Sequence, residues 1–147
     1  MSQTIEIDYE AIYGAWRRYL LEHSKARHFG TLFDPSKKAE FPYANLSLVS
    51  HPTNGRDIEA NEMSVDLTFD TEAYINTKEY LTLMNIDNAN AEFFIGLGFR
   101  RIGNSQITRV SNTVSRIMSR FTLWNYTGSF LHELSDTDAE TPTTTNG

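Results

Sequence analysis

The sequence predicts an α+β fold: two helices packed on one face of a mainly antiparallel four-stranded sheet, in the order α-β-β-α-β-β. Three observations predict it. Apolar residues recur at three- and four-residue steps after Asp8 and again after Asn76, the period of a half-buried helix. They alternate with polar residues near 63–70 and 115–123, the period of a half-buried strand. The 147 residues include 2 Trp, 7 Tyr and 9 Phe, enough ring area for one core but too little length for two ordinary domains. We therefore expect one domain over residues 1–134. A flexible acidic, Thr-rich tail is expected over 135–147, with too little apolar surface to offset the entropy of ordering it.

Asp8 is placed to cap the opening helix, whose stripe is Tyr9, Ile12, Tyr13, Trp16, Tyr19 and Leu20. From Phe29 to Glu40 the helical period is lost, and Gly30, Asp34-Pro35-Ser36 and Lys37-Lys38 mark a loop. Phe41-Pro42 opens the first strand, with Pro42 confined to a strand start or an edge. His51-Pro52-Thr53-Asn54-Gly55 is turn chemistry. The second strand points Met63, Val65, Leu67 and Phe69 inward and Ser64, Asp66, Thr68 and Asp70 outward.

Asn76 or Thr77 is expected to cap the second helix, with Leu81, Met84, Asn88, Ala91 and Ile95 as its stripe and Gly96-Leu97-Gly98 as its stop. Its pattern is weakest at Asp87-Asn88-Ala89-Asn90, where a break is expected. Phe99–Val110 reads as a third strand, interrupted at Gly103-Asn104. Thr113–Trp124 reads as the fourth, with Ile117, Phe121 and Leu123 on one face and Arg116, Met118 and Arg120 on the other.

Composition narrows the chemistry. With no cysteine, disulfide scaffolds, thiol catalysis and Cys-ligated metals are excluded. The longest near-continuous apolar run, Phe93–Phe99, is far short of the roughly 18 residues that span a bilayer. Glu6, Asp8 and Glu10 stand where a secretory signal has a basic and then an apolar segment, so a soluble chain that keeps its N-terminus is expected. The net charge of −6 is segregated. Residues 1–40 balance, residues 41–92 carry Arg56 and Lys78 against nine acids, residues 93–132 carry five arginines and no acid, and the tail carries four acids. Such blocks neutralise one another within a fold or complement one another between copies.

No catalytic constellation is legible. His23, His28, His51 and His132 are scattered, and the first two are five apart rather than at the i, i+4 spacing of a helical zinc site. Asp57–Glu62 has the carboxylates of a calcium loop, but Glu62 stands where that loop turns on Gly. Neither a phosphate-binding G-x-x-x-x-G-K nor a G-x-S-x-G elbow is present. Gly96-Leu97-Gly98-Phe99 spells the carboxylate-binding loop of PDZ domains, yet it follows a helix two-thirds of the way along, where helix stop plus strand start explains it. We expect no enzyme, no metal and no cofactor. The polar residues that stand out are arginines, whose forks bind carboxylates or phosphates bidentately. A nucleic-acid binder is expected to be basic, and this chain has a pI near 5.1. Arg100, Arg101, Arg116 and Arg120, with Asp66 and Asp70 as acidic counterparts, are the candidate inter-subunit or partner contacts.

In order and spacing these segments resemble one family. A helix, then Phe41-Pro42-Tyr43 opening a strand, an alternating strand near Phe69, a helix running into Gly98-Phe99-Arg100-Arg101, and a last strand with Arg116-x-x-x-Arg120-Phe121 resemble the tail terminator (tail-completion) proteins of long-tailed bacteriophages. The resemblance spans roughly residues 8–126, and the chain departs from it where members often have Arg-Tyr in place of Arg120-Phe121. It implies a structural virion protein at the head-proximal end of the tail, assembled in the host cytoplasm. Such a protein forms a hexameric ring of identical copies that caps the tail tube, ends its polymerisation and offers a joining surface to the head–tail connector. Its partners would be itself, the tube protein and the neck, with viral DNA passing through without sequence-specific binding and no membrane involved. An acidic lumen that repels phosphate suits that passage. The alternatives are another neck or head-completion protein of the same particle, or a small module that binds an acidic peptide or nucleic acid.

Overall fold

The structure, a computed structural model, describes residues 8–31, 40–50, 53–56 and 62–127. The readings made for the turn at His51-Pro52, the acidic run 57–61 and the tail 135–147 lie outside these residues. Asp8 caps helix α1 (Tyr9–His23) as its position predicts, its carboxylate accepting the Ala11 N–H at 3.0 Å. Ile12, Trp16 and Leu20 recur on one face and are fully buried. At the other end the Ser24 N–H returns to the Leu20 carbonyl at 2.9 Å and stops the helix.

Strands β1 (His28–Gly30), β2 (Tyr43–Ser50), β3 (Thr53–Arg56) and β4 (Glu62–Ile75) come next, followed by helix α2 (Tyr80–Gly96) and strands β5 (Arg100–Arg109) and β6 (Ser115–Tyr126). They form one sheet in the order β1-β2-β4-β6-β5, with β3 also paired to β4. The α+β class with two helices stands, but the expected four strands and the order α-β-β-α-β-β are corrected. Among the described residues the sheet has six strands, and β1 runs parallel to β2 while every other pair is antiparallel. Both extra strands are too short to carry an alternation. The three residues of β1 lie across the start of the segment read as a loop, and the four of β3 overlap the turn at His51–Gly55. Strand β4 also runs past Phe69 to Ile75, because Thr71 and Ala73 continue the inward positions without being large or apolar enough to signal it.

Both helices cover the same face, since the Phe69 ring of β4 stacks on Tyr9 of α1 at 6.3 Å and meets Phe94 of α2 at 5.5 Å. Phe94 in turn stacks on Phe121 of β6 at 5.1 Å and meets Phe99 edge-on at the same distance. The core is this aromatic cluster with Trp16, Leu46, Leu67, Leu83 and Ile86 around it.

Helix α2 corrects the expectation in three respects. Its predicted stripe faces outward: Leu81 is 76%, Met84 48% and Ile95 56% exposed, while Leu83, Ile86, Phe93 and Phe94 are buried. Both faces are apolar, so periodicity alone gave no choice between them. The sheet selects the face that brings Phe93 and Phe94 onto its own rings. The helix is also unbroken at Asp87-Asn88-Ala89-Asn90, because Asp87 and Asn90 point into the core and find donors there. It starts later than expected, with Glu79 at the N-cap position and no side-chain cap, and Thr77 accepts the Glu79 N–H outside it. The stop is as predicted: Gly98 takes φ +97°, a conformation that favours glycine, and the Phe99 N–H returns to the Phe94 carbonyl at 3.0 Å.

Candidate assembly surface

Strand alternation leaves the sheet with an open face. In β4 the inward set is Val65, Leu67, Phe69, Thr71 and Ala73, so Asp66, Thr68, Asp70, Glu72 and Tyr74 point away from the helices. Antiparallel register then sets Asp70 opposite Arg120 and Tyr74 opposite Arg116. Arg116 and Arg120 therefore share the open face, as their spacing of four predicts, and both find acids there.

Arg120 grips Asp70 with two hydrogen bonds, Nε to Oδ1 at 2.7 Å and Nη2 to Oδ2 at 3.0 Å. The hydrogen bond and the charge of Asp70 hold the Arg120 pKa above its ordinary value. Arg116 reaches diagonally to Glu72, Nη1 to Oε2 at 3.1 Å. Glu72 also accepts from the Tyr74 hydroxyl at 3.0 Å and from Asn45 Nδ2 at 3.1 Å, so one carboxylate joins three neighbouring positions of β2, β4 and β6. Burial first, and the Glu72 charge second, push the Tyr74 phenol up to about 12. Asp66 takes a different part: its Oδ1 accepts the backbone N–H of Asn125, which has φ 59°, and so fixes the irregular register at the end of the β4–β6 pair.

Arg100 and Arg101 are neighbours in β5 and so face opposite ways. Arg100 lies over the Trp124 ring, 5.8 Å from its centroid. Arg101 turns to the helix side, over the Phe121 ring at 5.6 Å, and donates from Nη2 to Asp87 Oδ2 at 3.1 Å. Asp87 is buried and also accepts from Ser105 Oγ at 2.8 Å and Ser119 Oγ at 2.6 Å. Ser105 reaches it because β5 bulges: Ile102 pairs with Arg120 and Gln106 with Met118, leaving 103–105 opposite Ser119 alone, with Gly103 at φ +72°.

The structure thus draws Arg101, Arg116 and Arg120 of the basic block to Asp87, Glu72 and Asp70 of the acidic block within one chain. Sequence reading named neither Glu72 nor Asp87 as a partner. Glu72 was legible in principle, two residues beyond Asp70 on the same face. Asp87 announced itself only as a fault in an apolar helix. Among the described residues no group of three or more His, Asp or Glu converges as a metal site would require. No protein-family model matches the chain, and a search of curated proteins finds no similar sequence.

Besides the open sheet face, two surfaces are left uncovered among the described residues. Strand β5 is the last in the sheet, exposed along nearly its whole length, with Ile102 and Ile107 about half exposed on either face. The outer face of α2 is the second.

Proposed function

We propose that the chain is the tail terminator of a long-tailed bacteriophage. It acts as a ring of identical copies, six in the family it resembles, that caps the tail tube, ends its growth and offers the surface that joins the head. One structural observation supports this reading best. Helix α2 carries large apolar side chains on both faces, and those of the outer face, Leu81, Met84 and Ile95, meet solvent beside the basic free edge of β5. A surface of this kind belongs to a subunit made to be covered.

The ion pairs refine the role of the arginines. Arg116 and Arg120 neutralise the open sheet face from within, so inter-subunit contact falls first to Arg100 and to the exposed Arg109, neither of which has an acid as a partner among the described residues. Loss of the gene tests the function. A terminator mutant accumulates DNA-filled heads and unjoined tails of uncontrolled length. Tails of normal length beside heads that leak DNA would assign the chain to the neck instead.

A further inference from the structure

The outward face of α2 has a specific shape. Its outward stripe, with Leu81, Met84, Asn88 and Ile95 exposed and Ala91 half-buried, follows strict 3-4-3-4 spacing, the narrow seam of a two-helix coiled coil rather than the broad face of a helix on a sheet. The stripe is also nearly palindromic about Asn88. We propose that the occupant of this face is a second copy of the chain, packed α2 against α2 in antiparallel fashion about a twofold axis at Asn88.

Three features select an identical copy. An antiparallel pair centred on residue 88 sets Leu81 against Ile95 of the second copy, and brings Met84 next to its Ala91, one position from direct opposition. Asn88 then meets Asn88, whose amide both donates and accepts, whereas a wholly apolar partner would bury it unpaired. The seam's flank is complementary in charge. Asn85 Oδ1 accepts the Lys25 backbone N–H at 2.9 Å, which holds Lys25 beside this level of the helix. Residue 85 is on the same flank as Glu92, and in an antiparallel pair centred on residue 88 those two positions come within one residue of facing each other. Glu92 of one copy therefore comes to Lys25 of the other, twice by symmetry. The ends also match in shape. Tyr80, 39% exposed, faces Gly96 of the second copy, where even a Cβ meets nothing within 4 Å. Ile95 and Leu97 of that copy then lie over the hollow of about 390 Å³ lined by Lys25, Lys78, Glu79, Tyr80, Leu81 and Thr82.

The contact is isologous and closes at two copies. A cyclic ring has no twofold of this kind, so the pair is a form of the free protein that ring assembly has to open. Both readings use the outer face of α2 but are tested apart, this one by the mass of the free protein and the tail reading by the fate of tail tubes.

Because the chain has no cysteine, single cysteines report the geometry directly. In sedimentation of the free protein over 5 µM to 1 mM, the expected mass rises from one to two times 16.8 kDa, and Leu81→Glu or Ile95→Glu holds it at one. Under mild oxidation Asn88→Cys should cross-link to itself. Leu81→Cys mixed with Ile95→Cys should give the mixed dimer in at least tenfold excess over either homodimer, and Gln106→Cys on β5 should give none. A wild-type mass that stays at one chain to 1 mM would overturn the proposal. So would homodimers of Leu81→Cys matching the mixed species, which indicate a parallel pair. If Leu81→Glu leaves the mass unchanged but abolishes binding to tail tubes, the occupant is the tube protein and the proposal is wrong. Circular dichroism of each variant separates misfolding from loss of contact.

Discussion

Arg120 and Asp70 stand directly opposite each other on β6 and β4 and clasp through two parallel hydrogen bonds of 2.7 and 3.0 Å. The pair joins the basic block to the acidic one inside a single chain, on the open face of the sheet. Arg120 is 45% exposed, so solvent screens much of the Coulomb attraction and the pair is modest in energy. A double-mutant cycle with Arg120→Ala and Asp70→Ala, read by urea unfolding, should give a coupling of about 0.5–1 kcal/mol. The swap Asp70→Arg with Arg120→Asp should restore much of what either single reversal loses.

Asp87 should matter far more. Its side chain is only 6% exposed and receives Arg101, Ser105 and Ser119. Replacing it with Ala strands a guanidinium and two hydroxyls against the core, and we expect a loss of about 3–5 kcal/mol. Ser105→Ala, which leaves the carboxylate two donors, should cost nearer 1 kcal/mol. Urea midpoints at constant slope would measure both.

Trp16 ties α1 to α2, donating from Nε1 to Asn90 Oδ1 at 2.6 Å inside the core. Trp16→Phe keeps a ring but leaves a buried amide oxygen unpaired, at a cost of roughly 1–3 kcal/mol. Adding Asn90→Leu should recover part of the loss, since an apolar pair needs no donor.

These sites show how far the sequence could be read. The α1 face, the Asp8 cap, the Gly98 stop and the two faces of β4 and β6 were legible because each rests on a local period or a local backbone preference. The orientation of α2 was not. It depends on which face finds the Phe69 and Phe121 rings, and those come from strands far from the helix in sequence. Likewise Arg120 with Asp70 could be guessed from charge, but its register and the bulge that brings Ser105 to Asp87 are properties of the assembled sheet.

Alkaline pH should destabilise the protein through its tyrosines. Burial raises the phenols of Tyr9, Tyr13, Tyr19, Tyr43 and Tyr74, with Tyr9 and Tyr74 reaching about 12 against an ordinary value of 10.0. Above pH 10 the unfolded chain sheds these protons while the folded one retains them. The folded state then binds more protons, and its stability falls from about pH 10 towards 12. Tyrosinate absorbance should appear together with loss of ellipticity, and Tyr74→Phe should make the decline shallower. Tyrosinate amounting to more than two of the seven phenols at pH 10 in a chain still folded would contradict the assignment.

The capping role itself is tested most directly by electron microscopy of tail tubes polymerised with and without the purified protein. The account predicts that added protein appears as one ring at a single end of each tube, and that those tubes stop growing and keep the length they had when it was added. Tubes that lengthen equally in its presence and carry no density at either end would contradict it.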